Sequence, residues 1–300
     1  MADIKIKTGK MIWKNPVTVA SGTFGLEFAE LFDLSQLGAI ATKTITLHPK
    51  KGNEPPRLAE TEAGLLNSIG LQNPGLENFI KNDLPEYRKI DTNLIVSISA
   101  DSISQFGEVI QALDRQPGID GYEINVSCPN VENEGIAFGT NKEVVYNLVS
   151  QIRKNTERTI IVKLSPNVTS IEDIAKAAEK GGADVLSLIN TVYGMAIDIE
   201  TRKPKIKNVI AGYSGIGIKP IALQNVYRAA KVVKIPIIGM GGIRNINDAL
   251  EFIIAGASAI AVGTQNFVNP LASLEIIQGL KKYLDEKKVQ YKDLINSVNF

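Results

Sequence analysis

Short apolar runs and amphipathic stretches alternate eight times along the 300 residues, and this limits the available folds more than any other feature. The runs lie at 17–20, 39–42, 94–98, 122–126, 160–164, 185–190, 236–240 and 259–262. Several are continuous, such as Ile-Ile-Val-Lys-Leu at 160–164 and Ala-Ile-Ala-Val at 259–262. Continuous runs suit strands covered on both faces, as in a parallel sheet. The spacing predicts helices at 27–37, 76–88, 102–114, 142–154, 171–180, 220–232, 246–255 and 270–287. Ser170 and Asn245 stand where helix caps are needed. Three helices end alike, Leu-Gly-Ala at 37–39, Gly-Gly-Ala at 181–183 and Ala-Gly-Ala at 255–257, and the glycine is expected to supply a left-handed stop. Residues 3–13 alternate around Thr-Gly-Lys and read as a hairpin. Eight βα units in one chain of this length indicate a (β/α)8 TIM barrel over residues 1–300, a single domain. A doubly wound sheet is the competing architecture; the count of eight and the glycine turns within 239–264 favour the barrel. Two long interruptions, at 44–74 and 191–219, follow the second and sixth strands and so belong at the carboxyl face.

Composition narrows function by exclusion. Thirty-three basic and 32 acidic residues leave a net charge of +1, and no polybasic block points to nucleic acid or a membrane surface. No apolar run reaches the roughly 18 residues of a membrane span. The start, Met-Ala-Asp-Ile-Lys-Ile-Lys, has no apolar core of a signal peptide, so a cytoplasmic location is expected. The single histidine, His48, sits in Thr-Leu-His-Pro-Lys-Lys and reads as a solvated loop residue, which argues against a histidine triad. One cysteine excludes an intrachain disulfide and argues against an in-chain cluster or zinc–thiolate site. No metal site is expected.

A barrel does its chemistry at the carboxyl ends of its strands. Those positions hold Ser21, Lys43, Cys128, Lys163, Asn190, the glycines of 239–242 and Gly263-Thr264. Glycine turns after the last two strands suit a phosphate held by loop amides, with Ser214-Gly215 able to add another; they also suit plain tight turns. Neither a Walker lysine–serine pattern nor Gly-x-Gly-x-x-Gly opening a helix is present, so a phosphomonoester fits better than a P-loop nucleotide. Lys43 and Lys163 end apolar strands, where a lysine needs a partner or a ligand. Asn67-Ser-Ile-Gly-Leu-Gln-Asn73, Asn125, Asn130 and Asn190-Thr191 add amides suited to a flat polar ligand. The absence of a carboxylate pair at these positions argues against glycoside hydrolysis.

Cys128 lies in Asn-Val-Ser-Cys-Pro-Asn at 125–130, where Pro129 stops the preceding strand. Two readings of the thiol stand side by side. Cysteine is often a buried, inert residue. Here amides and a hydroxyl surround it on a strand-end loop, which suits a reactive group instead.

Together these residues resemble the dihydroorotate dehydrogenase family, flavin enzymes of pyrimidine synthesis. The resemblance runs from Ser21-Gly-Thr-Phe-Gly to Val262-Gly-Thr-Gln, and its most specific pieces are 67–73, 125–130, Val162-Lys-Leu-Ser-Pro and Gly239-Met-Gly-Gly. The cysteine in 125–130 resembles class 1, since class 2 carries serine as base. Gln72-Asn73-Pro74-Gly75 and Gly194-Met-Ala-Ile-Asp-Ile resemble the branch that passes electrons to NAD. In that branch a separate subunit carries FAD and a 2Fe-2S cluster.

The resemblance implies FMN across the barrel mouth, with its phosphate on Gly241, Gly242, Gly263 and Thr264. It places Ser21, Lys43, Thr44, Asn125, Lys163, Ile189 and Gly215 along the ring and ribityl chain. It assigns dihydroorotate and orotate to Lys43, Asn67, Ile69, Gly70, Leu71, Gln72, Asn73, Asn125, Asn190 and Thr191. It also implies that Cys128 takes the C5 proton while hydride passes from C6 to the flavin. A homodimer of this chain within a heterotetramer is the implied assembly. One position departs: Ser97 stands where the family usually has asparagine, which puts one flavin contact in doubt. Two other readings remain: a fumarate-dependent or other pyrimidine-acting flavin oxidoreductase of the same fold, and a non-enzymatic barrel that binds a phosphorylated ligand.

Overall fold

The computed structural model describes residues 2–127 and 138–299. The chain opens with the hairpin β1 (Ile6–Thr8) and β2 (Met11–Trp13), then enters a sheet with β3 (Val17–Val19) and β4 (Ala39–Ala41). The first interruption contributes β5 (Leu58–Thr61) and β6 (Gly64–Asn67). A helical stretch runs through α1 (Leu76–Asn78) to α2 (Leu84–Tyr87). Regular alternation follows: β7 (Asn93–Ile98), α3 (Ile103–Asp114), β8 (Gly121–Asn125), α4 (Lys142–Arg153), β9 (Thr159–Leu164), α5 (Ile171–Lys180) and β10 (Val185–Leu188). The second interruption holds β11 (Val192–Gly194), β12 (Ile197–Asp198), β13 (Lys203–Pro204) and β14 (Ala211–Ser214). Then come α6 (Lys219–Ala230), β15 (Ile237–Met240), α7 (Ile246–Ala255), β16 (Ala259–Val262), α8 (Gln265–Val268), α9 (Ala272–Lys287) and α10 (Tyr291–Leu294).

The central sheet is parallel, with eight strands in the order β3-β16-β15-β10-β9-β8-β7-β4. From β4 onward each strand neighbours its successor among these eight, and the last, β16, pairs with the first, β3, so the sheet curls instead of doubling back, and the doubly wound alternative is excluded. The remaining seam lies between β3 and β4. There Gly38 N donates to Val17 O at 2.9 Å and Thr18 Oγ1 donates to Ala39 O at 2.8 Å, which carries the ring around. The fold is the (β/α)8 barrel. Its strands are apolar because helices cover the outside while side chains fill the inside: every residue of β3, β4, β9, β10, β15 and β16 is buried. The β1–β2 hairpin blocks the amino end. Trp13 is fully buried there, and Lys10 N donates to Thr159 Oγ1 at the start of β9. Access is left to the opposite end.

Caps set several helix starts. Ser102, Asn141, Ser170 and Asn245 each accept a backbone N–H of the first turn. The two interruptions are not loops alone. β14 pairs with β6 antiparallel, and both belong to a four-stranded sheet, β11-β14-β6-β5, at the carboxyl end of the barrel.

Three expectations change. The stretch 27–37 is not one helix but two 3-10 turns, Leu26–Glu30 and Leu34–Gln36. Asp33 is the cause: its carboxylate accepts from Ser35 N at 2.9 Å and Ser35 Oγ at 2.7 Å, an alternative to the helical ladder. The helix at 76–88 widens into a π segment over Phe79–Asp83. Pro85 follows after Leu84, and its ring crowds the carbonyl four residues back while supplying no N–H. Gly182 and Gly256 do take positive φ, +101° and +124°, but Gly38 does not. Gly38 is there for room, since a Cβ would strike the Asn15 carbonyl oxygen. Because that atom is backbone at the barrel seam, Gly38→Ala is expected to lower stability by about 1–3 kcal/mol, read as a reduced denaturation midpoint.

Candidate active site

The carboxyl ends of the eight strands meet at one mouth. From β3 comes Ser21, from β4 Lys43 and Thr44, from β8 Asn125, and from β9 Lys163. From β10 come Ile189, Asn190 and Thr191; from β15, Gly241 and Gly242; from β16, Gly263 and Thr264. Cys128 and Asn130 lie outside the described residues.

Lys163 is only 6% exposed, since β9 holds it inside the ring. Its Nζ donates to Ser21 Oγ at 3.1 Å across the barrel and lies 3.7 Å from Glu123 Oε1. Lys43 stands nearby. Burial first, then the positive charges of Lys163 and Arg57, push its ammonium below the usual lysine range. Two cations held this close in a half-dry space suit an anionic or electron-rich ligand.

A second group gathers the amides. Asn190 Nδ2 donates to Asn125 Oδ1 at 3.2 Å and to Ser127 Oγ at 2.8 Å, and Asn190 Oδ1 accepts from Thr191 N at 2.9 Å. A Cβ on Gly212 would collide with Thr191, so β14 is pressed against this turn. Asn67 Nδ2 in turn reaches Gly212 O, at 3.4 Å. Thus Asn67, Thr191, Asn190 and Asn125 form one connected edge of the mouth, although 123 positions separate Asn67 from Asn190 in the chain.

The glycines form a third group. Gly241 and Gly242 take φ of +127° and +75°, and Gly215 takes +101°. A Cβ on Gly242 would stand 2.8 Å from Lys219 Cβ and 2.9 Å from Gly215 O. A Cβ on Gly241 would stand 2.7 Å from Ala222 Cβ and 3.5 Å from Ile189 Cγ1. Thr264 Oγ1 donates to Ser214 Oγ at 2.8 Å, tying the turn after β16 to the segment before Gly215. Successive glycines of positive φ in adjoining turns are the kind of backbone that can cradle an anion.

The 69–73 stretch divides. Asn73 is buried and spends its amide on its own loop: Nδ2 donates to Thr46 Oγ1 and Leu71 O, and Oδ1 accepts from Thr46 N and Gly75 N. It holds the loop's shape. Gln72 accepts from Arg57 Nη2 at 2.6 Å, and Ile69 O accepts from Asn53 N at 2.9 Å. Gly70 and Leu71 take positive φ, +73° and +55°.

Several site residues escaped the sequence reading. Asn167 donates to Thr191 O at 2.9 Å and accepts from Tyr193 N, which fixes the turn after β10. Glu123 lies within what reads as an apolar strand, and its charge was the only signal. Ser97 was marked only as a departure from the family pattern, and Ser187 and Arg57 had no signal. Ser97 Oγ sits 2.9 Å from Thr44 Oγ1 and donates to Glu123 Oε1 at 3.2 Å, so the hydroxyl is tied into the barrel interior. Among the described residues no group of three or more His, Cys, Asp or Glu side chains could hold a metal ion, and no helix is long and apolar enough to cross a membrane.

A phosphate-bearing ring cofactor fits this arrangement. The glycine turns suit its phosphate, and the buried Lys163 with the half-buried Lys43 suits a ring that gains negative charge. Distorting this turn tests the fit. Gly242→Val is expected to weaken retention of a phosphate-bearing cofactor by an order of magnitude or more, measured as cofactor released after dilution, because the position takes φ of +75°, which a β-branched residue resists, and the added Cβ meets Lys219 Cβ and the Gly215 carbonyl oxygen.

The chain is similar to known proteins over nearly its whole length. A family model described as dihydroorotate dehydrogenase matches residues 3–284. A protein of Thermoanaerobacter pseudethanolicus named dihydroorotate dehydrogenase B (NAD(+)), catalytic subunit, is 55% identical over 284 residues, 94% of each chain. Proteins of the same name from Caldicellulosiruptor bescii and Geotalea uraniireducens are 49% and 46% identical, over 99% of this chain in both cases and 99% and 98% of theirs.

Proposed function

The chain belongs to the dihydroorotate dehydrogenase family, and from that premise we propose that it oxidises dihydroorotate to orotate in pyrimidine biosynthesis, as the catalytic subunit of an NAD-linked enzyme. The observation that carries this reading is the meeting, at one barrel mouth, of the positive-φ glycines with the buried Lys163 and the half-buried Lys43. The cofactor is a flavin, and FMN is the form we propose, its phosphate on Gly241, Gly242, Gly263 and Thr264. When bound, FMN supplies the acceptor for the hydride that leaves C6 of the substrate. The protein does the rest, within one barrel domain spanning the chain.

Ser21, Lys43, Thr44, Lys163, Ile189 and Gly215 line the ring and ribityl chain, and the ammonium of Lys163 offsets the negative charge that the ring gains. The edge built from Asn67, Asn125, Asn190 and Thr191 presents donors and acceptors to the flat substrate, with Lys43 and the 69–73 loop beside it. Cys128 removes the C5 proton. A thiol serves better than a hydroxyl because its ordinary pKa is about 8.5, so a few per cent is thiolate at neutral pH. The electrons then leave through a second subunit. We propose that this subunit carries FAD and a 2Fe-2S cluster and that two copies of each chain assemble in the cytoplasm.

Anaerobic addition of dihydroorotate to the purified chain is the test. The expected result is a yellow protein that releases FMN on heating and loses its visible flavin absorbance as orotate forms. A colourless chain after gentle purification, with no FMN released, overturns the proposal.

A further inference from the structure

We propose that Glu123 is a positioning residue for Lys163: from inside the barrel its carboxylate fixes the lysine's ammonium at the mouth and sets how much positive charge a bound flavin meets. The inference rests on the FMN reading above. Glu123 is 3% exposed, and Lys163 is 6% exposed. The two are 3.7 Å apart, Oε1 to Nζ, on the neighbouring strands β8 and β9. Burying two such charges costs several kcal/mol per ion, and an apolar pair in a barrel core would stabilise at least as well. Core packing alone therefore gives no reason for a carboxylate here.

The carboxylate is also held in place from both sides. Ser97 Oγ on β7 donates to Oε1, and Ser187 Oγ on β10 donates to Oε2, each at 3.2 Å. Strands β7 and β10 are not neighbours in the sheet, so Glu123 is anchored across the ring interior. Thr44 extends the chain, its Oγ1 2.9 Å from Ser97 Oγ. Above this anchored anion Lys163 has one further partner, Ser21 Oγ at 3.1 Å, which draws the ammonium toward β3. The lysine is thus pinned between a fixed negative charge below and a neutral acceptor beside it. Lys43 is a second cation near Lys163, so Glu123 also offsets part of the positive charge gathered at the mouth. Ser97, the departure from the family pattern, takes part in this anchoring.

The charge balance gives the direction. Removing one buried negative charge leaves the mouth more positive, which favours the reduced, more negative flavin. Spectroelectrochemical titration of the FMN-loaded chain reads this directly. Glu123→Gln keeps the shape and is expected to shift the midpoint potential upward. Glu123→Asp keeps the charge but withdraws it by one methylene, and is expected to give a smaller upward shift. Ser187→Ala removes one neutral hydrogen bond and leaves the charge, so its potential is expected to stay closer to wild type than that of Glu123→Gln. Equal potentials in wild type and Glu123→Gln overturn the inference. So does a Glu123→Gln chain that fails to fold while Glu123→Asp folds with an unshifted potential, because Glu123 is then a structural support only. A wild-type chain that holds no FMN overturns instead the reading on which the inference rests.

Discussion

Turnover of dihydroorotate at pH 7 is expected to fall by about 10²–10⁴-fold in Cys128→Ser, the usual contribution of a positioned acid or base, while FMN stays bound. The sequence places this thiol after Asn125, the last residue of β8. The described part of that loop is already organised: Asn125 Oδ1 accepts from Ser127 N at 3.2 Å, and Ser127 Oγ accepts from Asn190. Serine is nearly the same size as cysteine, so the substitution alters acidity far more than shape. The hydroxyl is a much weaker acid than the thiol and gives up its proton only with help from another base. Part of the lost rate is therefore expected to return as pH rises, and the shift of the pH–rate profile to the alkaline side separates lost acidity from lost binding. Steady-state rates from pH 6 to pH 10, with FMN content measured alongside, are the check. Wild-type turnover in Cys128→Ser at pH 7 removes Cys128 from the role of base.

Much of the barrel was legible because its determinants are local. Ala259–Val262 is four apolar residues, and the strand has those bounds; Ser170 and Asn245 cap where their short side chains reach the first turn. Local chemistry also explains the misses. Asp33 bonds Ser35 in place of extending a helix, and Pro85 sits behind a π segment, where periodicity averages over both. The mouth was legible where strand ends coincide with unusual residues, as at Lys163 and Gly241. What could not be read were contacts set by strand register inside the barrel. Ser97 stands opposite Glu123 on the adjacent strand, and Ser187 reaches the same carboxylate from β10, two strands away. The full use of Asn73 by Thr46, Leu71 and Gly75 is likewise invisible in a motif that reads as two free amides.

The second large effect concerns where the electrons go. Electrons taken from dihydroorotate onto a bound flavin would have to leave before another turnover. A 2Fe-2S cluster requires four ligands, usually cysteines, and this chain has one cysteine. A dinucleotide site of the common kind requires glycines in Gly-x-Gly-x-x-Gly opening a helix after a strand, and no such motif is present. The glycines at the mouth are already committed to the FMN phosphate in this reading. NAD therefore has to be met on another subunit. The isolated chain is expected to reduce an artificial dye at the expense of dihydroorotate while forming no NADH. Adding the electron-transfer subunit is expected to start NADH formation, with a rate that saturates as that subunit approaches one per catalytic chain. Absorbance at the NADH band, with and without the added subunit, decides the matter. Rapid NADH production by the catalytic chain alone overturns the two-subunit reading, because it requires a nicotinamide site on this barrel.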